Sequence, residues 1–138
     1  QRLVADPGTK VYGPFTVLPR LVADVDTIAK ISPHRFFPRP GVESSFVRIW
    51  PRKPDTLGEG ELAAVERLVR AAFSQRRKRV TNGLGRIAEK RWPELAKSER
   101  RDRLEALLRA VDIDPALRPE RIEPEAWLAL SRRWARDV

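Results

Sequence analysis

The chain has 138 residues, 41% of them hydrophobic and 34% charged, with a formal net charge of +9. That supports one packed core, or two small pieces, under a charged surface. With no cysteine and a single histidine, His34, it has no disulfide, no thiolate nucleophile, no His/Cys metal cluster and no Ser-His-Asp set. No apolar stretch approaches the ~20 residues of a membrane-spanning helix, and no segment reads as a signal peptide. Cysteine-free composition suits a reducing compartment.

In chain order, Arg2-Leu3-Val4-Ala5 reads as the end of a helix stopped by Asp6-Pro7-Gly8. Residues 15–24 place Phe15, Val17, Leu18, Leu21 and Val22 at helical spacing, with Pro19 tolerable only near the first turn. Residues 27–31 and 45–50 read as two short strands. Between them, residues 33–40 form a proline-stiffened loop. Two short strands make a poor sheet alone and want a larger one to join. Residues 51–60 hold two prolines and two glycines and read as a linker.

Beyond the linker the pattern is helical. Leu62, Val65, Leu68, Val69, Ala72 and Phe73 form one face. Ser74 is a candidate cap for a helix facing inward with Val80, Leu84 and Ile87, in which Gly83 and Gly85 each cost roughly 1 kcal/mol relative to alanine. Ser98 is a candidate cap for a helix carrying Leu104, Leu107, Leu108 and Val111. Asp114-Pro115 and Glu123-Pro124 each look like a cap with proline at the first helical position. The last helix buries Trp127, Leu130 and Trp134.

The charge is uneven. Residues 74–103 hold eleven basic and four acidic side chains, which argues for a local polyanion-binding face. Arginine outnumbers lysine, which suits phosphate recognition and base stacking and equally fits a bias in genomic base composition. The densest run is Arg76-Arg77-Lys78-Arg79, expected at the start of a helix where free N–H groups also favour phosphate. The competing reading is a solvated helical face or a nuclear-localisation look-alike. Arg100, Arg101 and Arg103 extend the run, but the intervening Glu99 and Asp102 favour a solvated face there.

A second feature is the loop Phe36-Phe37-Pro38-Arg39-Pro40. Either aromatic could stack on an extruded base. Composition alone favours Phe37 as a plug where the loop meets the sheet, and leaves Phe36 open between plug and base contact. No glycine-rich phosphate loop follows a strand, since Gly58-Glu59-Gly60 sits in the linker. Asp112 and Asp114 bracket a helix end and read as caps rather than a catalytic pair.

These residues resemble a family. Phe36-x-Pro38-x-Pro40-x-Val42-x-Ser44 and Phe73-Ser74-Gln75-Arg76-Arg77-Lys78 look like the ribosomal RNA adenine N6,N6-dimethyltransferases, the KsgA/RsmA and Dim-type enzymes. Leu3-Val4-Ala5, Pro7-Gly8-Thr9-Lys10, Tyr12-Gly13, Ile113-Asp114-Pro115 and Arg118-Pro119-Glu120 fit in order and spacing. The tail resembles the bacterial small-subunit branch more than the antibiotic-resistance branch.

The resemblance implies an α/β plus all-α architecture. Residues 1–51 would be the C-terminal piece of a Rossmann-like class I methyltransferase domain, with its last two strands. Residues 52–138 would be a linker and a helical RNA-binding domain. It also implies methyl transfer from S-adenosylmethionine to two adjacent adenosines near the 3′ end of small-subunit rRNA. Phe36 would stack on the target base, with Arg35, Arg39, Arg76, Arg77, Lys78 and Arg79 gripping the RNA of an immature small subunit.

The family's cofactor motif, ribose-binding acid and catalytic Asn-Leu-Pro-Tyr-type motif belong upstream of residue 1. The expectation is therefore an upstream catalytic half and no cofactor binding by this chain alone. The chain also departs from the family at Arg79-Val80, at Pro33-His34-Arg35 and at Arg121-Ile122-Glu123. A bacterial cytoplasmic setting is expected over a mitochondrial one. The rival reading is a stand-alone, non-catalytic RNA-binding or ribosome-assembly module. A self-sufficient module should cover its strands, whereas a catalytic-domain piece should expose them.

Overall fold

The computed structural model describes residues 1–53 and 57–137. Part of the linker expected over residues 51–60, at 54–56, lies outside them. A 3-10 turn, Arg2–Val4, leads to helix α1 (Pro14–Val22). Strand β1 (Ala23–Ile31), a 3-10 turn (Pro33–Arg35) and strand β2 (Ser44–Pro51) follow. Then come α2 (Glu61–Phe73), α3 (Val80–Arg91), α4 (Lys97–Arg109), a 3-10 turn (Pro119–Arg121) and α5 (Pro124–Arg136).

Helix α1 starts at Gly13 with Pro14 at its first position, but Pro19 lies inside it. Confinement of Pro19 to the first turn is not observed. The bond lost to its missing N–H falls at Phe15, an exposed residue, where solvent can take the carbonyl. Both strands are longer than their apolar cores suggest. They pair antiparallel, Ala23 opposite Pro51 and Ile31 opposite Ser44, with an irregularity between Thr27 and Ala29. At the base of this ribbon the Arg52 N–H donates to the Val22 carbonyl at 2.7 Å. The Arg52 guanidinium donates to Asp24 Oδ1 at 2.9 Å.

The helical faces match their spacing. Val65, Leu68, Val69 and Ala72 of α2 are buried, as are Val80 and Leu84 of α3 and Leu104, Leu107 and Leu108 of α4. Leu62 is exposed, Phe73 and Ile87 are half-buried, and Val111 lies beyond the end of α4 at Arg109. Three cap expectations fail. Ser74 closes α2, its hydroxyl donating back to the Ala71 carbonyl, and α3 starts six residues later. Ser98 lies inside α4, whose entry is held by Glu99 accepting the Ala96 N–H at 2.7 Å. Asp114 accepts the Ala116 N–H at 2.8 Å in a turn rather than starting a helix. Glu123-Pro124 does open α5.

One hydrophobic core runs through the helices and past residue 52. Ala5, Tyr12, Val17 and Leu21 join the cluster of α2–α5 around the wholly buried Trp127. Tyr12, Phe73 and Trp127 follow one another with ring centroids 6.2 and 6.3 Å apart. The Tyr12 hydroxyl donates to the Ile122 carbonyl. Burial, reinforced by the Glu123 charge, raises this phenol well above its ordinary pKa.

Gly83 explains how α3 lies against α2. A Cβ there would sit 2.6 Å from Ala72 Cα and 2.7 Å from the Ala71 and Ala72 carbonyl oxygens. The two backbones touch where only a hydrogen fits. Gly85 faces open space. Glu61, at the start of α2, takes two bonds from Arg132 of α5, at 2.7 and 3.0 Å. These bonds, with the Gly58 N–H, lower its pKa to about 2.

Candidate functional site

The expected site residues fall into two groups. Arg35, Phe36 and Arg39 share the loop at the tip of the ribbon, and all three are exposed. Ser32 shapes the approach by accepting the His34 N–H. Phe36 follows the 3-10 turn, its N–H on the Pro33 carbonyl at 3.3 Å, and is 42% exposed. Phe37 is fully exposed, so the plug expected of it is not seen. Among the described residues, none of this loop packs against the hydrophobic core. Eight steps of strand put this tip roughly 26 Å from the ribbon's base.

The ribbon is open, and its two faces differ: Val25, Val47 and Ile49 share one, whereas Phe46 and Trp50 share the other with Asp24, Asp26 and Arg48. Phe46 and Trp50 alternate with Val47 and Ile49, and Ile28, Phe46, Ile49 and Trp50 are exposed. The first face has the composition of a covered sheet face, and the second mixes aromatics with ion pairs, Arg48 with Asp26 at 3.8 Å and Arg52 with Asp24 at 2.9 Å. Arg48 lies over the Trp50 ring, 3.7 Å from its centroid.

The second group occupies the turn between α2 and α3, not the first turn of a helix. Arg77, Lys78 and Arg79 are exposed, Arg79 at the N-cap of α3. They make no ion pair among the described residues. Arg76 differs from its neighbours. Its Nε donates to Glu120 at 2.9 Å and its Nη2 to the Thr9 carbonyl at 2.8 Å. The Gly8 N–H binds the Glu120 carbonyl at 2.6 Å. Arg76 therefore ties three distant segments together: the turn, the N-terminal loop and the 3-10 turn at Pro119–Arg121. The sequence offers no signal for this tie. It joins a carboxylate 44 positions away to a backbone oxygen 67 positions away, beyond any local pattern.

No hydrogen bond or ion pair joins the aromatic loop to the cationic turn among the described residues. The arrangement offers two separate grips: an aromatic plate flanked by arginines, and a cluster of free cations on a rigid helical body. Two clefts mark that body. One, of about 530 Å³, lies between α3 and α4, and the other, of about 800 Å³, among α2, α3 and α5. Arg86, Lys97, Arg100 and Arg101 edge the first, and Arg67, Arg70, Lys90 and Arg91 the second. Such rims oppose a cationic ligand such as a sulfonium cofactor and favour an anion. No group of three or more candidate metal ligands occurs among the described residues. No helix among them is long and apolar enough to cross a membrane.

Residues 1–114 match the family model for ribosomal RNA adenine dimethylase. The ribosomal RNA small subunit methyltransferase A of Nitrosococcus oceani is 36% identical over 133 residues, 96% of this chain and 45% of that protein. The protein of the same name from Levilactobacillus brevis is 36% identical over 122 residues, 88% of this chain and 39% of its own length. The chain thus spans less than half the length of these relatives. In fold it resembles a dimethyladenosine transferase from Plasmodium falciparum, with TM-score 0.71 and 19% identity, covering 94% of this chain and 50% of that one. It also resembles the 23S rRNA methyltransferase ErmE, with TM-score 0.61 and 22% identity, covering 91% and 47%.

Proposed function

The chain belongs to the ribosomal RNA adenine dimethylase family, and on that premise we propose that it serves rRNA adenine N6,N6-dimethylation by presenting the target base and holding the RNA. The observation that carries this reading is the exposed phenylalanine pair between Arg35 and Arg39 at the ribbon tip. An adenine must leave its stack before its N6 can react, and an aromatic plate holds it out. Phe36 is that plate. Arg35 and Arg39 neutralise the phosphates on either side. Arg77, Lys78 and Arg79 hold the backbone further along, with Arg76 fixing the turn that carries them. Such backbone contacts set position and register rather than sequence.

S-adenosylmethionine supplies the methyl group in this reaction. The cationic clefts of this chain do not suit it, so its binding belongs to a Rossmann-like catalytic half. The ribbon completes that half's sheet, which accounts for the exposure of Ile28, Phe46, Ile49 and Trp50. Residues 1–51 are assigned to that domain and 52–138 to the linker and RNA-gripping helices, even though residues 5–21 share the helical core. The substrate is the pair of adjacent adenosines near the 3′ end of small-subunit rRNA, within an immature bacterial small subunit.

The test is binding of a short RNA stem-loop carrying 2-aminopurine at an unpaired adenine position. Phe36→Ala should abolish the stacking quench and weaken binding by about 1–3 kcal/mol, and Phe36→Tyr should retain both. Full quenching by Phe36→Ala overturns the role. Calorimetry with S-adenosylmethionine and this chain should show no heat. A second reading, a non-catalytic RNA-binding module, is favoured by the closed core of the helices. It requires quenching and affinity to be indifferent to Phe36 while still depending on Arg77 and Lys78.

A further inference from the structure

We infer that the cleft between α3 and α4 is a second RNA-backbone site, continuous with the cationic turn. The cleft encloses about 530 Å³. Its α3 wall presents Asn82 and Arg86, one helical turn apart, and its α4 wall presents Lys97 and Arg101, spaced the same way. The floor is Thr81, Ala88 and Leu104, all buried. Gly85 keeps the α3 wall open, with nothing within 4 Å of where its Cβ would be.

The charges in the cleft are not equivalent. Arg101 is held by Glu105 at 3.1 Å and Arg100 by the Leu95 carbonyl at 2.8 Å. Arg86 and Lys97 are exposed and make no ion pair among the described residues. Lys97 also opens α4, where the helix end adds positive potential. Glu89 is the one carboxylate lining the cleft. Two fixed cations and two free ones around a trough form a path for a chain of phosphates.

Gln75 decides between a nucleic-acid strand and an isolated anion. It lines the cleft and sits in the turn that carries Arg77, Lys78 and Arg79. Gln75 thus links the turn that carries those cations to the wall of the cleft. Arg103, grouped with Arg100 and Arg101 by sequence, is outside it. It binds Asp137 at 2.9 Å and stacks on Trp92 at 4.8 Å. The ligand is the ribose-phosphate backbone of RNA, read without regard to sequence.

This inference rests on the RNA-binding reading above, and the test separates the two. The full chain is titrated into a fluorescein-labelled RNA stem-loop with a single-stranded tail, by anisotropy, over a series of KCl concentrations. Arg86→Gln with Lys97→Gln should lower affinity about tenfold near 0.1 M salt and flatten the log–log salt slope by about one to two. Thermal unfolding should match the parent chain, since neither side chain is buried or paired. Arg133→Gln with Arg136→Gln, an equal loss of charge on the last turn of α5, should leave the slope unchanged. An equal loss from that control pair would overturn the site as a bulk-charge effect. If Arg77→Gln with Lys78→Gln weakens binding and the cleft pair does not, the cleft is refuted and the RNA-binding reading stands. If neither pair has an effect, both fall.

Discussion

The helical body and the β-ribbon are apolar in similar proportion and put those side chains to opposite uses. In the body, Trp127, Leu84, Leu104, Leu108 and Val69 are wholly buried. In the ribbon, Phe46, Ile49, Trp50 and Ile28 all remain between 46% and 60% exposed. The body has finished its own packing. The ribbon has backbone pairing but no covered face, so its stability as a lone pair is marginal. Open apolar surface of this kind marks a place where something else docks.

The contrast is tested most severely at its two aromatic extremes. Trp127→Ala should cost about 3–5 kcal/mol in urea unfolding, whereas Phe46→Ala should stay within about 0.5 kcal/mol. A comparable loss at Phe46 would mean that the ribbon is covered in solution. Hydrogen exchange should agree, with ribbon amides opening at far lower free energy than those of α2.

Next in size is the glycine pair on α3. Gly83→Ala should destabilise by about 1–3 kcal/mol, because the methyl meets backbone that cannot swing aside. Gly85→Ala should stabilise by about 0.4–1 kcal/mol through reduced freedom of the unfolded chain. Thermal unfolding midpoints should therefore move in opposite directions for two identical substitutions two residues apart.

The smallest effect is the pH response of the α2–α5 tie. Arg132 and the Gly58 N–H depress the Glu61 carboxyl from 4.5 to about 2 in the folded chain. A folded pKa below the unfolded one adds stability at pH values above the unfolded pKa. That contribution is lost as pH falls through the folded one. In acid titrations followed by circular dichroism, Glu61→Gln should therefore be less stable than the parent at pH 7. The gap should narrow between about pH 4.5 and 2.

Much of the body was legible because apolar spacing is local. The faces of α2 and α4 could be marked from single turns of sequence, and Glu123-Pro124 announced α5. The failed caps have a common cause. Ser74 and Ser98 are good cap chemistry, but the chain needed a six-residue turn after α2, and Glu99 already served the entry of α4. Gly83 and Gly85 looked alike because propensity counts a glycine's cost and not its neighbours. The cationic run was legible as a run, but not the division within it. Arg76 is committed to Glu120 and Thr9, while Arg77, Lys78 and Arg79 remain exposed. That sorting depends on which segments meet in space. Of the aromatic loop, the sequence showed its stiffness; it could not show that Phe37 has nothing to plug.

The hydrogen bond between Arg52 and Val22 makes the ribbon a detour. The chain leaves the helical body at residue 22 and returns to it within 2.7 Å at residue 52. Closing so short a gap costs little entropy. The whole excursion could be excised and replaced by a tight turn, leaving Ala5, Tyr12, Val17 and Leu21 in place. Cutting at the linker instead would strip those four from the core. The smallest portable version of the body is therefore a spliced chain and not a truncated one.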